Sequence, residues 1–481
     1  MQNSTPTLGA SCAHHPRYRL AHRRTTAMPK FGKREIKNLK KVIHSGNFAD
    51  HAGGFMDDLR CDFADALDAK HAICGATAML LMHAIPPAIG AGAGDEIICD
   101  SVVQFHGIAC LHNNVVPVWA DVRPDNFLLD ADKVEEKITE RTKAIWVTHL
   151  WGFPAEVDKL REIADKHGIY LLEDCAHALT TKYKGRYLGT WGHVGTFSFN
   201  MGKQLPTGEG GMAITNDDAL ATELNKRIIF GESPEVLSSN YRMTEFQAAV
   251  AVAQLTRIPG YMRKYRKGKA YLDEVVAGCE WLDTRAQAED CTIAPYHWSC
   301  LFHGERAGIE QGVFKAALMQ AAGGRFNTGF TQRPAYIYSL FRDPASYGLK
   351  GWPFGYEGEM QTHEGLCPVA EDVIPRIVCT NNMVKPSECK RKAKLLRKAI
   401  ALAESGTVEP LEYSDIERAV LAVVEEGGQM EPSEVIAALD ERGLAHLDEH
   451  SAFAIMEGLR DRYPYKLSHA GPRKFQYHEL A

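Results

Sequence analysis

Hydrophobic and polar positions change rhythm three times along this chain. Residues 33–45 and 55–67 carry apolar side chains at helical spacing, which predicts two amphipathic helices. Short apolar runs then take over, at 71–74, 96–99, 115–120, 143–147, 170–172, 195–199 and 211–214. Most of the segments between these runs are long enough for a crossover helix. That alternation predicts an α/β domain over residues 28–258, with a mostly parallel central sheet covered on both faces. In such sheets ligands gather at the carboxyl ends of the strands.

The rhythm changes again after residue 242. An Ala/Gln-rich helix is expected over 243–257, and a Lys/Arg-rich helix over 262–276 leads into a smaller α+β domain, 259–404. Residues 326–365 are rich in Gly, Pro and aromatic residues and read as long loops of the kind that shape a substrate pocket. From residue 405 the chain reads as an additional winged-helix-like module. Short helices are expected at 414–426, 432–442 and 448–461, with Pro432 in the first turn of the second, and a hairpin at 465–480 around Gly471 and Pro472.

Composition narrows the class. At 481 residues the chain is too long for one ordinary core. The net charge of −6 argues against a protein that coats nucleic acid, and no apolar run is long enough to span a bilayer. The twelve cysteines form no CxxC pair and no zinc-like spacing, so the expectation is no metal and buried, reduced thiols in a cytoplasmic protein. Acidic residues outnumber Lys and Arg in 405–481 by about two to one, whereas phosphate attraction needs the reverse. The first 34 residues contain no Asp or Glu; residues 1–27 are expected to be a disordered basic tail.

The chemistry is concentrated in residues 171–215. One apolar run ends in Asp174, a later one carries Ser198, and Lys203 follows it. An acid, a hydroxyl and a lysine in this order can hold pyridoxal phosphate, an electron sink bound as a lysine Schiff base with an acidic partner on its ring nitrogen. A carboxylate after an apolar run is costly unless paired. For Asp174 the partner is either that ring nitrogen or the amides of a following turn. The glycines at 208–211 lack the order of a nucleotide P-loop, because Lys203 precedes them, and read as a tight turn.

Several motifs in order resemble the DegT/DnrJ/EryC1/StrS sugar aminotransferases from about residue 31 to 405. They are Gly75-Ala76-Thr77-Ala78, Gly94-Asp95-Glu96-Ile97-Ile98, Pro117-Val118-Trp119-Ala120-Asp121-Val122 and Val147-Thr148-His149-Leu150-Trp151-Gly152. Glu173-Asp174-Cys175-Ala176-His177, Phe197-Ser198-Phe199, Lys203, Gly208-Glu209-Gly210-Gly211 and Asn240-Tyr241-Arg242-Met243 follow. The resemblance implies a fold-type I pyridoxal-phosphate enzyme. It makes Lys203 the Schiff-base lysine and Asp174 the partner of the ring nitrogen, and it sets His177 near the 3-hydroxyl. Ala76, Thr77 and Ser198 would hold the phosphate. Gln104 stands where the family stacks an aromatic ring on the pyridine; it is the ring-facing candidate, with Phe105 or His106 as alternatives. Gly-Ala-Thr replaces the family's Ser-Gly-Thr at 75–77. Asn240 would reach the phosphate of a neighbouring subunit, which implies a homodimer with shared sites.

The implied reaction is transfer of an amino group from glutamate or glutamine to a keto-sugar, keto-cyclitol or related carbonyl acceptor. The alternatives are other pyridoxal chemistry on the same fold, such as dehydration, cyclisation or decarboxylation, and a pyridoxal-phosphate-binding regulator. A dehydratase branch of the family has His where this chain has Lys203, which disfavours that branch. The C-terminal module is a candidate for protein interaction or a lid rather than for nucleic acid.

Overall fold

The computed structural model describes residues 31–231, 233–329, 333–342 and 361–410, and beyond them 420, 422–424, 429–430, 432–441, 456, 467–471 and 474–477. The seven short apolar runs are seven strands of one sheet. They are β1 (His71–Gly75), β2 (Glu96–Asp100), β3 (Val116–Ala120), β4 (Thr142–Thr148) and β5 (Tyr170–Asp174), then, after a small hairpin β6 (Lys182–Tyr183) and β7 (Arg186–Tyr187), β8 (Val194–Ser198) and β9 (Gly211–Thr215). Their order is β1-β9-β8-β5-β4-β2-β3. Only β9 runs against its neighbours, pairing antiparallel with β1 and with β8; the other four pairings are parallel. These strands are almost wholly buried, as expected of strands covered on both faces.

Helices α1 (Lys33–Ser45), α2 (Phe55–Ala66), α3 (Ala78–Ala88), α4 (Phe105–His112), α5 (Val157–His167), α6 (Asp218–Ile228) and α7 (Glu245–Leu255) belong to this layer. Both helices expected before residue 71 are present. Three connections are not crossover α-helices, one of them the short link from β8 to the antiparallel β9. The link from β3 to β4 contains only the 3₁₀ turns Ala131–Lys133 and Glu135–Lys137, and the link from β5 to β8 is the β6–β7 hairpin. The hairpin link is punctuated by Gly185 and Gly189 in left-handed backbone, which no helix accommodates in its interior. Glu245, buried in the first turn of α7, accepts the amides of Phe55 and Met56 and so caps α2 from 190 residues away.

Helix α8 (Ile258–Val276) joins two cores. Ile258, Tyr261, Met262 and Tyr265 pack into the first, and Leu272, Val275 and Val276 into the second. The second core lies against an antiparallel sheet of β10 (Leu282–Thr284), β12 (His297–Phe302), β14 (Ile377–Asn381) and β13 (Asn327–Thr328), while β11 (Cys291–Thr292) pairs instead with β6. Helices α9 (Gln311–Ala322), α10 (Ser339–Arg342), α11 (Pro368–Arg376) and α12 (Pro386–Glu404) complete this part. Within the expected loop region 326–365, residues 330–332 and 343–360 lie outside the described ones. Of the C-terminal module, the helix Pro432–Glu441 and the hairpin Leu467–Gly471 with Lys474–Tyr477 are present. Most of the other two expected helices falls outside the described residues. No helix among the described residues is long and apolar enough to cross a membrane.

The row Gly75, Gly211, Ser198 runs across the ends of β1, β9 and β8. A Cβ at Gly211 would come within 2.4 Å of the Ala78 amide nitrogen and 2.7 Å of the Thr77 carbonyl carbon. Backbone cannot yield there as a flexible side chain does. Gly211→Ala is therefore expected to destabilise the fold by about 1–3 kcal/mol through overpacking. Urea unfolding measures this, and a change within a few tenths of a kcal/mol would show that the approach is loose.

Candidate active site

Strands β2, β4, β5 and β8 end in Asp100, Thr148, Asp174 and Ser198, all on one edge of the sheet. A cavity of about 330 Å³ lies over that edge, lined among others by Gln104, Phe105, Thr148, Asp174, His177 and Lys203. Its size falls in the roughly 300–1,000 Å³ range of small-molecule sites. A larger groove of about 560 Å³ lies by β10, but its Arg306 is already paired with Asp283, and nothing there converges on a ligand.

Lys203 sits on a turn that the glycines after it hold in place. Its amide donates to the Asn200 carbonyl, the Gly202 amide to Asn200 Oδ1, and the Met201 amide to the carbonyl of Gly208, which is in left-handed backbone. The 208–211 segment is not the expected tight turn: Gly208 bridges to Asn200, Glu209 lies at a bend and Gly211 opens β9, and the turn proper is the one that carries Lys203. Lys203 Nζ lies 2.7 Å from Nε2 of His177 and 5.1 Å from the centre of the Tyr296 ring. Burial lowers the Lys203 amine to about 8, although the charge of Asp174 opposes the shift. Burial first, then the charge of Lys203, holds His177 well below the usual histidine range, so its imidazole is neutral and can accept from the ammonium. His177 Nδ1 is buried and has no hydrogen-bond partner.

The reactivity of Lys203 toward an aldehyde is consequently expected to rise through about pH 8, well below the ~10.4 of an ordinary lysine, because only the neutral amine attacks. Labelling of the cofactor-free protein across pH, with Lys203 followed by mass spectrometry, measures this. A midpoint above 10 would contradict it.

Of the two roles left open for Asp174, the structure shows the second, a partner for an amide of the following turn. Asp174 is almost fully buried and lines the cavity, and its Oδ1 accepts the Ala176 amide at 2.8 Å. Thr77 caps α3, accepting the Leu80 amide on its hydroxyl at 3.1 Å. The Ala76 amide is already donated to the Tyr241 carbonyl at 2.7 Å. At this turn the donors without an intrahelical acceptor are therefore the amides of Ala78 and Met79. Ser198 stands two strands away across β9, its Oγ accepting the Asn200 amide at 3.3 Å. Gln104 precedes α4 and lines the cavity beside the half-exposed Phe105. His106, the other ring-facing alternative, is fully buried and stacked on Trp146, with ring centres 5.1 Å apart, so it cannot face a ligand ring. Asn240 is exposed and accepts from Arg242 Nε at 2.9 Å; within one chain it is not at the cavity.

Sequence reasoning missed the stacked rings beside Lys203, Tyr296 just before β12 and His297 at its start, which continue onto Trp151 after β4. Tyr296 stacks on His177 with centres 4.2 Å apart, His297 on Tyr296 at 4.7 Å, and Trp151 on His297 at 5.6 Å, all within 20° of parallel. Burial pulls His297 down to about 4, so this column carries no imidazolium beside Lys203. Tyr338 also lines the cavity.

The cluster His149, Glu173 and Cys175 has ligand atoms close enough for a metal ion, yet Glu173 is saturated. It accepts the Gly189 and Gly192 amides and a 2.9 Å bond from His149 Nε2. His149 Nδ1 accepts the Ala155 amide, which places the proton on Nε2. Burial pushes the Cys175 thiol up, away from the thiolate a metal needs. The cluster braces the turn after β5.

The sequence model of the DegT/DnrJ/EryC1/StrS aminotransferase family matches residues 29–348, well over half of the chain. The chain belongs to this family. Among curated members, the chain is 31% identical over 375 residues to the L-glutamine:2-deoxy-scyllo-inosose aminotransferase of Streptomyces paromomycinus, a match covering 72% of this chain and 87% of that one. It is 33% identical over 248 residues to the GDP-perosamine synthase of Vibrio cholerae, covering 50% of this chain and 66% of that one. For several other members the match spans 54–62% of their length. The crystal structure of 3-amino-5-hydroxybenzoic acid synthase superimposes with a TM-score of 0.68 at 22% identity, covering 78% of this chain and 98% of that one, which shows a shared fold. In this member Asp174 and Ser198 end strands on one edge of the sheet, and Lys203 lies on the turn that follows Ser198.

Proposed function

We propose that this chain moves an amino group from L-glutamine or L-glutamate to the carbonyl carbon of a keto-sugar or keto-cyclitol, with pyridoxal phosphate held at Lys203. The observation that carries this reading is the Lys203 amine, lowered to about 8, lying 2.7 Å from a neutral imidazole in a cavity that a buried carboxylate also lines. The residues fit the cofactor. The orphaned His177 Nδ1 costs free energy unless a ligand group satisfies it, and a hydroxyl on the ring would do so. The amides of Ala78 and Met79, with the hydroxyls of Thr77 and Ser198, suit a phosphate at a helix N-terminus. Asp174 is the carboxylate for a protonated ring nitrogen.

Bound there, pyridoxal phosphate supplies an electron sink. The protein's own work is then to bind, orient and move protons. Lys203 Nζ, once released by the incoming amine, carries the proton to and from the substrate carbon. His177 keeps Nζ directed by accepting from it, and the Tyr296–His297 column excludes water on that side. L-Glutamine and an inosose appear in the name of the Streptomyces relative, which supports this choice of donor and acceptor. A second copy of the chain would complete the site through Asn240. The exposed Phe230 and Leu237 on the same segment would be covered in that pair.

The test is an absorption spectrum of protein loaded with pyridoxal phosphate, before and after L-glutamine or L-glutamate. Conversion of the visible band to the amine form of the cofactor supports the reading. A protein that takes up no cofactor sinks it. Acceptor screening follows with inososes and nucleotide-linked keto-sugars.

A further inference from the structure

Asp174 is not alone in its burial. Its Oδ2 lies 3.5 Å from Nε2 of His106, and Nδ1 of the same ring lies 3.5 Å from Oδ2 of Asp100. Thr148 Oγ1 joins the set, donating to Asp100 Oδ2 at 2.6 Å and lying 3.3 Å from His106 Nε2. All four side chains are buried. Asp100 is anchored, because its Oδ1 accepts the Val102 and Val103 amides at 3.2 and 2.9 Å. The imidazole is held flat on Trp146, with 14° between the planes. His106 Nδ1 has no hydrogen-bond partner, so the ring meets the two carboxylates as an electrostatic bridge rather than through two short bonds.

We propose that His106, backed by Asp100 and Thr148, is a positioning residue that sets how strongly Asp174 holds a proton, and through Asp174 the protonation of a pyridine nitrogen bound in the cavity. This rests on the cofactor reading above. The physics is that of a buried pair. Water is excluded, so the charge on Asp174 is stabilised by what faces it: the Ala176 amide on Oδ1, His106 on α4 from behind, and Lys203 from the cavity. Asp100 on β2, a like charge, acts in the opposite sense. Burial and Asp174 both push Asp100 up, while His106 opposes them. The Nε2–H of His106 lies 3.3 Å from Thr148 Oγ1 and 3.5 Å from Asp174 Oδ2, so its positive end faces Asp174 across a short gap and favours the carboxylate. It thereby leaves the shared proton on the ring nitrogen, where the electron sink needs it. Without that N–H, Asp174 becomes the stronger base and draws the proton away.

Two variants separate this from a packing role. His106→Phe keeps a flat ring on Trp146 and removes both nitrogens, whereas His106→Gln restores a donor without aromatic stacking. With cofactor labelled by nitrogen-15 in the ring, His106→Phe is expected to move the ring-nitrogen resonance toward neutral pyridine. It should also lower kcat by about 10- to 100-fold, as loss of an outer-shell partner does, with KM for the donor nearly unchanged. His106→Gln should recover part of both. A packing role predicts the reverse order of the variants and an unmoved nitrogen resonance, which would overturn the proposal. A second arm needs no cofactor. The His106 imidazole nitrogens, assigned in nitrogen-15 spectra by their loss in either variant, should shift in Asp174→Asn and in Asp100→Asn. Indifference to both would also overturn the proposal. Wild-type protein that takes up no cofactor would instead sink the function proposed above, and the histidine arm would still decide whether His106 couples the two carboxylates.

Discussion

Replacing Lys203 by alanine is expected to cut amino transfer by about a thousandfold or more, because one side chain both captures the carbonyl carbon of the cofactor and carries the proton. Lys203 is the one lysine lining the cavity among the described residues, so no neighbour can take over. The loss should fall on kcat rather than on cofactor affinity, since Thr77, Ser198 and Asp174 remain. The variant should therefore still bind pyridoxal phosphate by equilibrium dialysis, without the visible band of lysine-bound cofactor. It should regain some turnover when a small primary amine is added, as an exogenous base fills the space left beside His177. The fold should hold, because Lys203 Nζ makes its close contact with an imidazole rather than with a buried carboxylate. Turnover within tenfold of wild type would remove Lys203 from the chemistry.

Much of this site was legible because strand ends are. Seven apolar runs gave seven strands, buried on both faces, and parallel pairing puts the carboxyl ends of all but β9 on one edge. Asp174, Ser198 and Lys203 could be read together for that reason, although they are separated by up to 29 residues. His106 was not legible in the same way. On the first turn of a helix, successive residues rotate by roughly 100°, so residues 104 and 105 face the cavity while 106 turns inward. A count of residues cannot fix that phase without the cap. Tyr296 and His297 were hidden for a different reason. They enter from a second sheet some 90 residues after Lys203, and their contact depends on how that sheet docks, which no local pattern encodes. The amide of Ala76 is a smaller case: a motif shows which residues form a turn, but not that Tyr241 already accepts one of its donors.

Asp174→Asn is the other substitution of large expected effect, and it separates charge from shape. Asn keeps an oxygen for the Ala176 amide, so the turn after β5 survives, whereas Asp174→Ala loses the turn bond as well. What Asn removes is the negative charge facing the ring nitrogen, and with it the means of keeping that nitrogen protonated. Turnover is expected to fall by about 10²- to 10⁴-fold, the range for misplaced proton control at a reacting group. The same charge also acts on Lys203. Asp174 opposes the burial that lowers the amine to about 8, so removing it must lower the amine further. The pH midpoint for labelling Lys203 should therefore move down in Asp174→Asn, making the lysine a better nucleophile at neutral pH even as catalysis collapses. Faster capture of an aldehyde together with slower turnover is a pair of opposite changes that a misfolded variant cannot produce. An unchanged or raised midpoint would mean that Asp174 does not share the cavity's electrostatics with Lys203, and its assignment to the ring nitrogen would fall with it.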